Sequence, residues 1–151
     1  MESPNDELTR EFSVLCRSLG WKFTASRYAV YRFMRGNCEH PGVDVVWDAV
    51  KTELPSITRE SVYRILNDFV AKGVFALLER RDDAARYDSN PARHEHFCCR
   101  KCGKFYDFTA DGIEKVIPEY ARFIGKIEKT ELRLRGVCRE CLEKTSESVE
   151  Q

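Results

Sequence analysis

Apolar positions recur with a helical period through the first half of the chain and then change rhythm. Leu8, Phe12, Leu15 and Leu19 share one face of a helix predicted over 6–19, acidic in its first turn and stopped by Gly20 in a left-handed conformation. Thr24 is the predicted cap of a second helix over 25–35 that turns Ala29, Val30, Phe33 and Met34 inward before Gly36 and Asn37 break it. Asp44 is the predicted cap of a short third helix over 45–54, ended by Pro55. A fourth helix over 59–72 follows Thr58; Val62, Ile65, Leu66, Phe69 and Val70 fall in its i, i+3, i+4, i+7, i+8 register, and Gly73 closes it.

The opposite face of that fourth helix is polar, with Ser61, Tyr63, Arg64 and Asn67, side chains suited to phosphates and base edges. Strands at 74–79 and 86–88 then flank the polar turn 80–83. Helices followed by a hairpin with a basic tip predict a winged helix-turn-helix. Its candidate DNA contacts are Arg59, Ser61, Tyr63, Arg64 and Asn67 on the helix and Arg80 and Arg81 at the wing tip.

After Asn90-Pro91 the pattern shifts to short apolar strands, 103–108 and 126–134, separated by a helix over 111–123. Ile113, Val116, Ile117, Tyr120, Phe123 and Ile124 give that helix a broad apolar face, and Pro118 is expected to kink or interrupt it. A unit of roughly 60 residues has a marginal core, so a metal staple and pairing with a second copy are expected to support it. The polar, acidic tail after Cys141 reads as disordered. The expected fold class is therefore α+β: a winged-helix DNA-binding domain over 1–88, a hinge over 89–93, and a smaller α/β dimerisation and metal-binding domain over 94–151.

Composition narrows the class. The chain has 151 residues, 42% of them hydrophobic and 11% aromatic, enough to fill one ordinary domain or two small ones. Formal charge is zero and the pI is near 6.8, without the strong basicity of many nucleic-acid binders. Residues 20–81 nonetheless hold ten Lys/Arg against seven Asp/Glu, so the positive excess sits where the DNA-binding face is predicted. No stretch approaches the roughly 18 apolar residues of a membrane span, and the first twenty residues carry six charges. Seven cysteines, an odd number clustered in pairs, suit reduced thiolates on a metal better than a disulfide framework, which places the protein in a reducing cytoplasm.

Two matched pairs, Cys99-Arg-Lys-Cys102 and Cys138-Arg-Glu-Cys141, stand 35 residues apart. Two intervening residues let both thiolates of a pair turn onto one ion, and two pairs supply the closed four-sulfur shell of structural zinc, with no position left for chemistry. His94-Glu95-His96 precedes the first pair. On a strand, i and i+2 share a face, so the two imidazoles reach one divalent ion, with Asp107 from the neighbouring strand and Asp88 from the linker. Such a nitrogen and oxygen shell suits iron(II), manganese(II) or zinc and exchanges with cellular supply. Cys16 on the first helix and Cys98 on a strand read as small buried hydrophobes, and Cys38 lies in a loop; none is given a role.

An enzyme is disfavoured. His94-Glu95 beside two cysteines is faintly like the zinc deaminases, but Glu95 directly follows His94, no proline precedes Cys99, and the second cysteine pair would be idle. A thioredoxin-like Cys-x-x-Cys should open a helix within a βαβ pattern. A metal buffer without a DNA role stays open on these motifs alone.

From Trp21 to Leu142 the chain resembles the Fur family of bacterial metalloregulators. The residues that carry the likeness are Thr24-Ala-Ser-Arg27, His40-Pro41, Ser61-Val-Tyr-Arg64, Arg86-Tyr-Asp88, His94-Glu-His96, the two cysteine pairs, and Gly103-Lys104 leading to Asp107-Phe108. The resemblance implies a repressor that binds a palindromic operator as a homodimer when iron(II) or manganese(II) fills a regulatory site of His40, Asp88, His94, His96 and Asp107, with structural zinc on Cys99, Cys102, Cys138 and Cys141. Aspartates at 88 and 107, where iron sensors more often carry glutamates, look like the peroxide-sensing PerR branch, in which oxidation of His40 or His94 would release the DNA. An iron-sensing or zinc-sensing repressor is the alternative. Arg93 and a histidine-free stretch over 126–134 depart from members that hold a further histidine-rich site.

Overall fold

The computed structural model describes residues 4–78 and 85–147. They form two compact units, Met1–Pro91 and Ala92–Gln151. No helix among the described residues is long and apolar enough to cross a membrane.

The first unit is built from helices α1 (Pro4–Leu19), α2 (Ala25–Met34), α3 (Val43–Val50) and α4 (Arg59–Ala71), followed by the antiparallel pair β1 (Ala76–Leu77) and β2 (Tyr87–Asp88). The helical register places Phe12, Val30, Met34, Val46, Val62, Leu66 and Phe69 in one core, where all seven are completely buried. Aromatic rings bind its layers together, with Phe12 4.9 Å from Tyr31 and Phe69 4.8 Å from Phe75. Glu11 fastens α1 to α2 by accepting from the Tyr31 hydroxyl at 2.7 Å and from Arg35 Nε at 2.9 Å.

Thr24 and Thr58 cap α2 and α4 as expected, each hydroxyl accepting from the backbone N–H three residues on. The Thr58 cap defines where α4 begins, because Ser61 N–H would otherwise lack a partner at the helix start; the contact is 3.1 Å. Thr58→Ala is expected to lower stability by about 1 kcal/mol in urea unfolding followed by circular dichroism, against no change if water replaces the cap equally well. The third helix differs from expectation. It starts two residues earlier, at Val43, with Gly42 at its N-cap and no side-chain cap, because the Asp44 carboxylate is drawn instead to Arg59 at 2.5 Å. The wing tip, with Arg80 and Arg81, lies outside the described residues.

The second unit has a three-stranded sheet in the order β4 (Phe105–Phe108), β3 (Glu95–Cys99), β5 (Arg133–Gly136). The β3–β4 pair is antiparallel with His96 opposite Asp107, and β3–β5 is parallel with Cys99 opposite Gly136. A side chain at Gly136 would press on the Phe97 ring, whose nearest atom would stand only 3.1 Å from a Cβ. The expected helix over 111–123 is instead two pieces, a 3₁₀ turn at Ile113–Val116 and α5 (Glu119–Ile124), with Pro118 at the N-cap of α5. Strand pairing near the C-terminus begins at Arg133 rather than 126. Beyond Cys138 the chain forms α6 (Arg139–Glu147), where a disordered tail was expected, so that Cys141 sits in a first helical turn.

Candidate metal centres and nucleic-acid face

The two cysteine pairs reach one point from opposite ends of the second unit. Cys99 ends β3, and the chain doubles back through Cys102 and Gly103, whose φ of 71° is cheap only for glycine; Gly103 N–H donates to Cys99 O at 2.9 Å. Cys138 stands just before α6, and Cys141 N–H donates to Cys138 O at 3.0 Å. One sulfur from each of the four lies within 4.8 Å of every other. Sulfurs held about 2.3 Å from a tetrahedral zinc stand about 3.8 Å apart; Cys102 and Cys138 are 3.7 Å apart.

Electrostatics fit the same ion. Backbone N–H groups of the turn, and Cys138 N–H at 3.3 Å, hold the Cys99 thiol down to about 6, whereas Cys141 is pushed up to about 12 by the neighbouring sulfurs that share its proton and by burial. Four sulfurs this close cannot all ionise unaided, and a dication removes that conflict.

Two further ligand sets lie one in each unit. In the first, His40 is 1% and Asp88 2% exposed, with Nε2 3.8 Å from Oδ1. Tyr87 N–H donates to Pro41 O at 3.1 Å and Gly42 bridges Arg86, so the His40 loop is sewn to β2 beside Asp88. His40 itself has φ 49°, the one left-handed non-glycine among the described residues. A non-glycine held there is strained, and such strain concentrates where geometry serves a site.

In the second unit the hairpin register brings Asp107 Oδ1 to 3.5 Å from His96 Nε2 and 3.6 Å from His94 Nε2. The two imidazoles stand edge to face, 4.5 Å between centroids. His94 Nδ1 lies 2.7 Å from Ala92 O, which sets Nδ1 as the protonated nitrogen and turns the Nε2 lone pair toward Asp107. Nitrogen and oxygen ligands about 2.1 Å from an ion stand about 3 to 3.5 Å apart, so His94, His96 and Asp107 fit one small cation. Glu95, between the histidines, faces the other way and is 3% exposed; its carboxylate accepts from Leu132 N–H at 2.7 Å and lies 3.8 Å from Arg93 Nε. That fixes the start of β5.

On the first unit a groove is lined by Thr24, Ser26, Arg27, Ser61, Arg64, Asn67 and Asp68. Arg64 is exposed. Arg27 lies over the Trp21 ring at 4.8 Å and within 3.5 Å of Asp68, a placement that aims its guanidinium along α4. The other predicted contacts are partly committed: Arg59 is ion-paired to Asp44, Tyr63 packs against the core, and Asn67 accepts from the Tyr87 hydroxyl at 3.4 Å. Thr24, Ser26 and Arg27 were missed in the sequence as groove residues, although the Thr-Ala-Ser-Arg motif was visible; nothing in the periodicity says that the start of α2 runs beside α4.

A winged helix joined to a small α/β unit, with one four-sulfur set and two nitrogen and oxygen sets, defines the build of a metal-binding DNA-recognition protein. The model of the ferric uptake regulator family matches residues 18–135, and the chain belongs to that family. It is 31% identical over 145 residues to the peroxide-responsive repressor PerR of Staphylococcus epidermidis, covering 95% of each chain. Among solved structures it is similar to the ferric uptake regulator of Francisella tularensis with iron, at 25% identity and TM-score 0.71, covering 82% of this chain and 96% of that one. The fold also matches the Helicobacter pylori ferric uptake regulator with three functional metal-binding sites, at TM-score 0.74 and 21% identity, covering 94% and 97%.

Proposed function

We propose that this chain is a metal-dependent, peroxide-responsive transcriptional repressor. The observation that carries the reading is the pair of incomplete ligand sets: His40 and Asp88 in one unit, His94, His96 and Asp107 in the other. Neither set closes a shell alone. Together they offer three imidazoles and two carboxylates, a mixture suited to iron(II) or manganese(II). Ligands from both units meeting on one ion fix the angle between them, and that angle positions α4 for DNA.

Zinc is assigned to Cys99, Cys102, Cys138 and Cys141 as a permanent staple. Val116, Tyr120, Phe123 and Ile124 are each more than 70% exposed, an apolar surface that a second copy covers in the working dimer. In that dimer two α4 helices enter major grooves about one DNA turn apart, and the operator is accordingly palindromic. Arg27, Ser61 and Arg64 face the duplex. Bound protein occludes the promoter. The cytoplasm is its place of action, and no catalytic turnover is assigned to it.

The peroxide branch rests on the relative's name and on aspartates at 88 and 107. Iron(II) held by His40, Asp88, His94, His96 and Asp107 would supply the reducing chemistry toward peroxide, and an oxygen atom gained by His40 or His94 would cost the site a ligand and free the hinge. The test is a gel shift on the promoter beside the protein's own gene. Retardation is expected with manganese(II) and with iron(II), and hydrogen peroxide should abolish it only in the iron form, with one added oxygen on the His40 or His94 peptide. Retardation indifferent to metal refutes the regulatory reading; release by peroxide without histidine oxidation, accompanied by reversible cysteine oxidation, replaces it with a thiol switch.

A further inference from the structure

Asp68 is out of place twice over. It lines the groove of the first unit together with Arg27, Ser61, Arg64 and Asn67, where a carboxylate repels the phosphates that the proposed function brings there. It also stands in the last turn of α4, the end of a helix that favours cations. Arg27 is its mirror image, a cation in the first turn of α2, where anions are favoured and no acidic residue is found. Neither residue suits its own helix, and the two meet, with Arg27 Nη2 3.5 Å from Asp68 Oδ2.

The side chains are 25% and 52% exposed, and so open a pair adds little to stability. Its value lies in direction. The Trp21 ring lies 4.8 Å from Arg27 Cζ, Nη1 donates to Lys22 O at 3.4 Å, and Nη2 donates to Asp68. Trp21 is itself fixed edge to face against Phe69 of α4, 5.4 Å between centroids. A guanidinium held on one face and at both Nη atoms gives up less freedom when an anion arrives. Two of its five N–H groups are used this way among the described residues, which leaves the rest of the fork for a phosphate.

Resting on the DNA-binding reading above, we infer that Asp68 and Trp21 are positioning residues for DNA recognition, holding the Arg27 guanidinium so that it meets one backbone phosphate of the duplex. The order that Asp68 imposes on the arginine outweighs its own repulsion of the DNA. The experiment titrates a labelled duplex from the promoter beside the protein's own gene with manganese(II)-loaded full-length protein, reading fluorescence anisotropy over a range of salt. Wild type is compared with Asp68→Ala, Arg27→Gln and the double variant; alanine favours the helix, so α4 is kept. If Asp68 acted through its charge alone, Asp68→Ala would bind more tightly than wild type. The expected result is the opposite, a loss of roughly threefold to tenfold, the scale of one ordinary hydrogen bond. Arg27→Gln is expected to lose at least about tenfold and to flatten the slope of log affinity against log salt by about one per subunit, as a lost phosphate contact does. In the Arg27→Gln background, Asp68→Ala is expected to reverse sign and tighten binding, because only the repulsion is left to remove. A merely structural role gives no such reversal. Asp68→Ala binding as tightly as wild type or more tightly, an unchanged salt slope in Arg27→Gln, or no reversal in the double variant overturns the inference while leaving DNA binding standing. A wild type that does not bind the duplex overturns both.

Discussion

Cys138→Ser is expected to empty the four-cysteine site and unfold the second unit. The unit spans Ala92–Gln151, with a sheet of three short strands and few buried apolar side chains; Ile113 and the cysteines Cys98, Cys99 and Cys138 are its only buried hydrophobic residues among those described. A core so thin supplies at most about 3–5 kcal/mol, and the metal must supply the rest. Cys138 is the sensitive choice. It lies at the junction between β5 and α6 with its sulfur 3.7 Å from Cys102, so losing that sulfur frees the C-terminal pair from the N-terminal one. Zinc should fall from stoichiometric to none and the unit's thermal transition should vanish, while α1–α4 keep their helical signal. Metal analysis with circular dichroism checks this, and a chelator strong enough to strip zinc should reproduce it in the wild type. A variant that binds no zinc yet melts like the wild type would refute the staple.

The winged-helix unit was legible because its information is local. Thr24 and Thr58 sit where helices must begin, and the spacing of Val62, Leu66 and Phe69 identifies the buried face of α4. Where a residue had two possible partners, local reasoning chose wrongly: Asp44 has the chemistry of a cap but binds Arg59, fifteen positions away. The second unit was less legible. Its strands are short, its parallel β3–β5 pairing is non-local, and helix α6 is polar enough to read as a loose tail. The apolar stripe at 116–124 was read as one helix face that Pro118 would kink or interrupt; Pro118 does interrupt it, and the stripe stands exposed.

The candidate site followed a similar division. Cys-x-x-Cys and His-x-His announce themselves by spacing, and pairing of β3 with β4 placed Asp107 opposite His96 as alternation requires. His40 offered no such pattern. Its strained backbone and its closeness to Asp88 arise from contacts between Pro41 and Tyr87, 46 positions apart, which only the folded chain displays.

Replacing both His96 and Asp107 by alanine is expected to uncouple DNA binding from divalent metal while leaving the zinc staple intact. The pair is chosen because Asp107 Oδ1 lies 3.5 Å from His96 and 3.6 Å from His94, making that oxygen the centre of the second unit's ligand set. Without the pair, His94 is the one proposed ligand left in that unit, so an ion bound as proposed loses its hold there. Driving a two-state hinge from almost fully open to almost fully closed takes about 5.5 kcal/mol of differential affinity, a factor of about 10⁴. Two of five ligands are enough to lose most of that, so manganese(II) should improve operator affinity by orders of magnitude in the wild type and by less than about threefold in the double variant. Its affinity without metal should match the wild type's, because both residues belong to the second unit and the proposed DNA contacts to the first. Zinc content should also be unchanged, as the four sulfurs approach from the opposite end of β3, and this separates the expected result from simple unfolding. Fluorescence anisotropy on labelled operator, titrated with manganese(II), measures both terms. An undiminished response in the double variant would mean that the switch lies elsewhere in the chain.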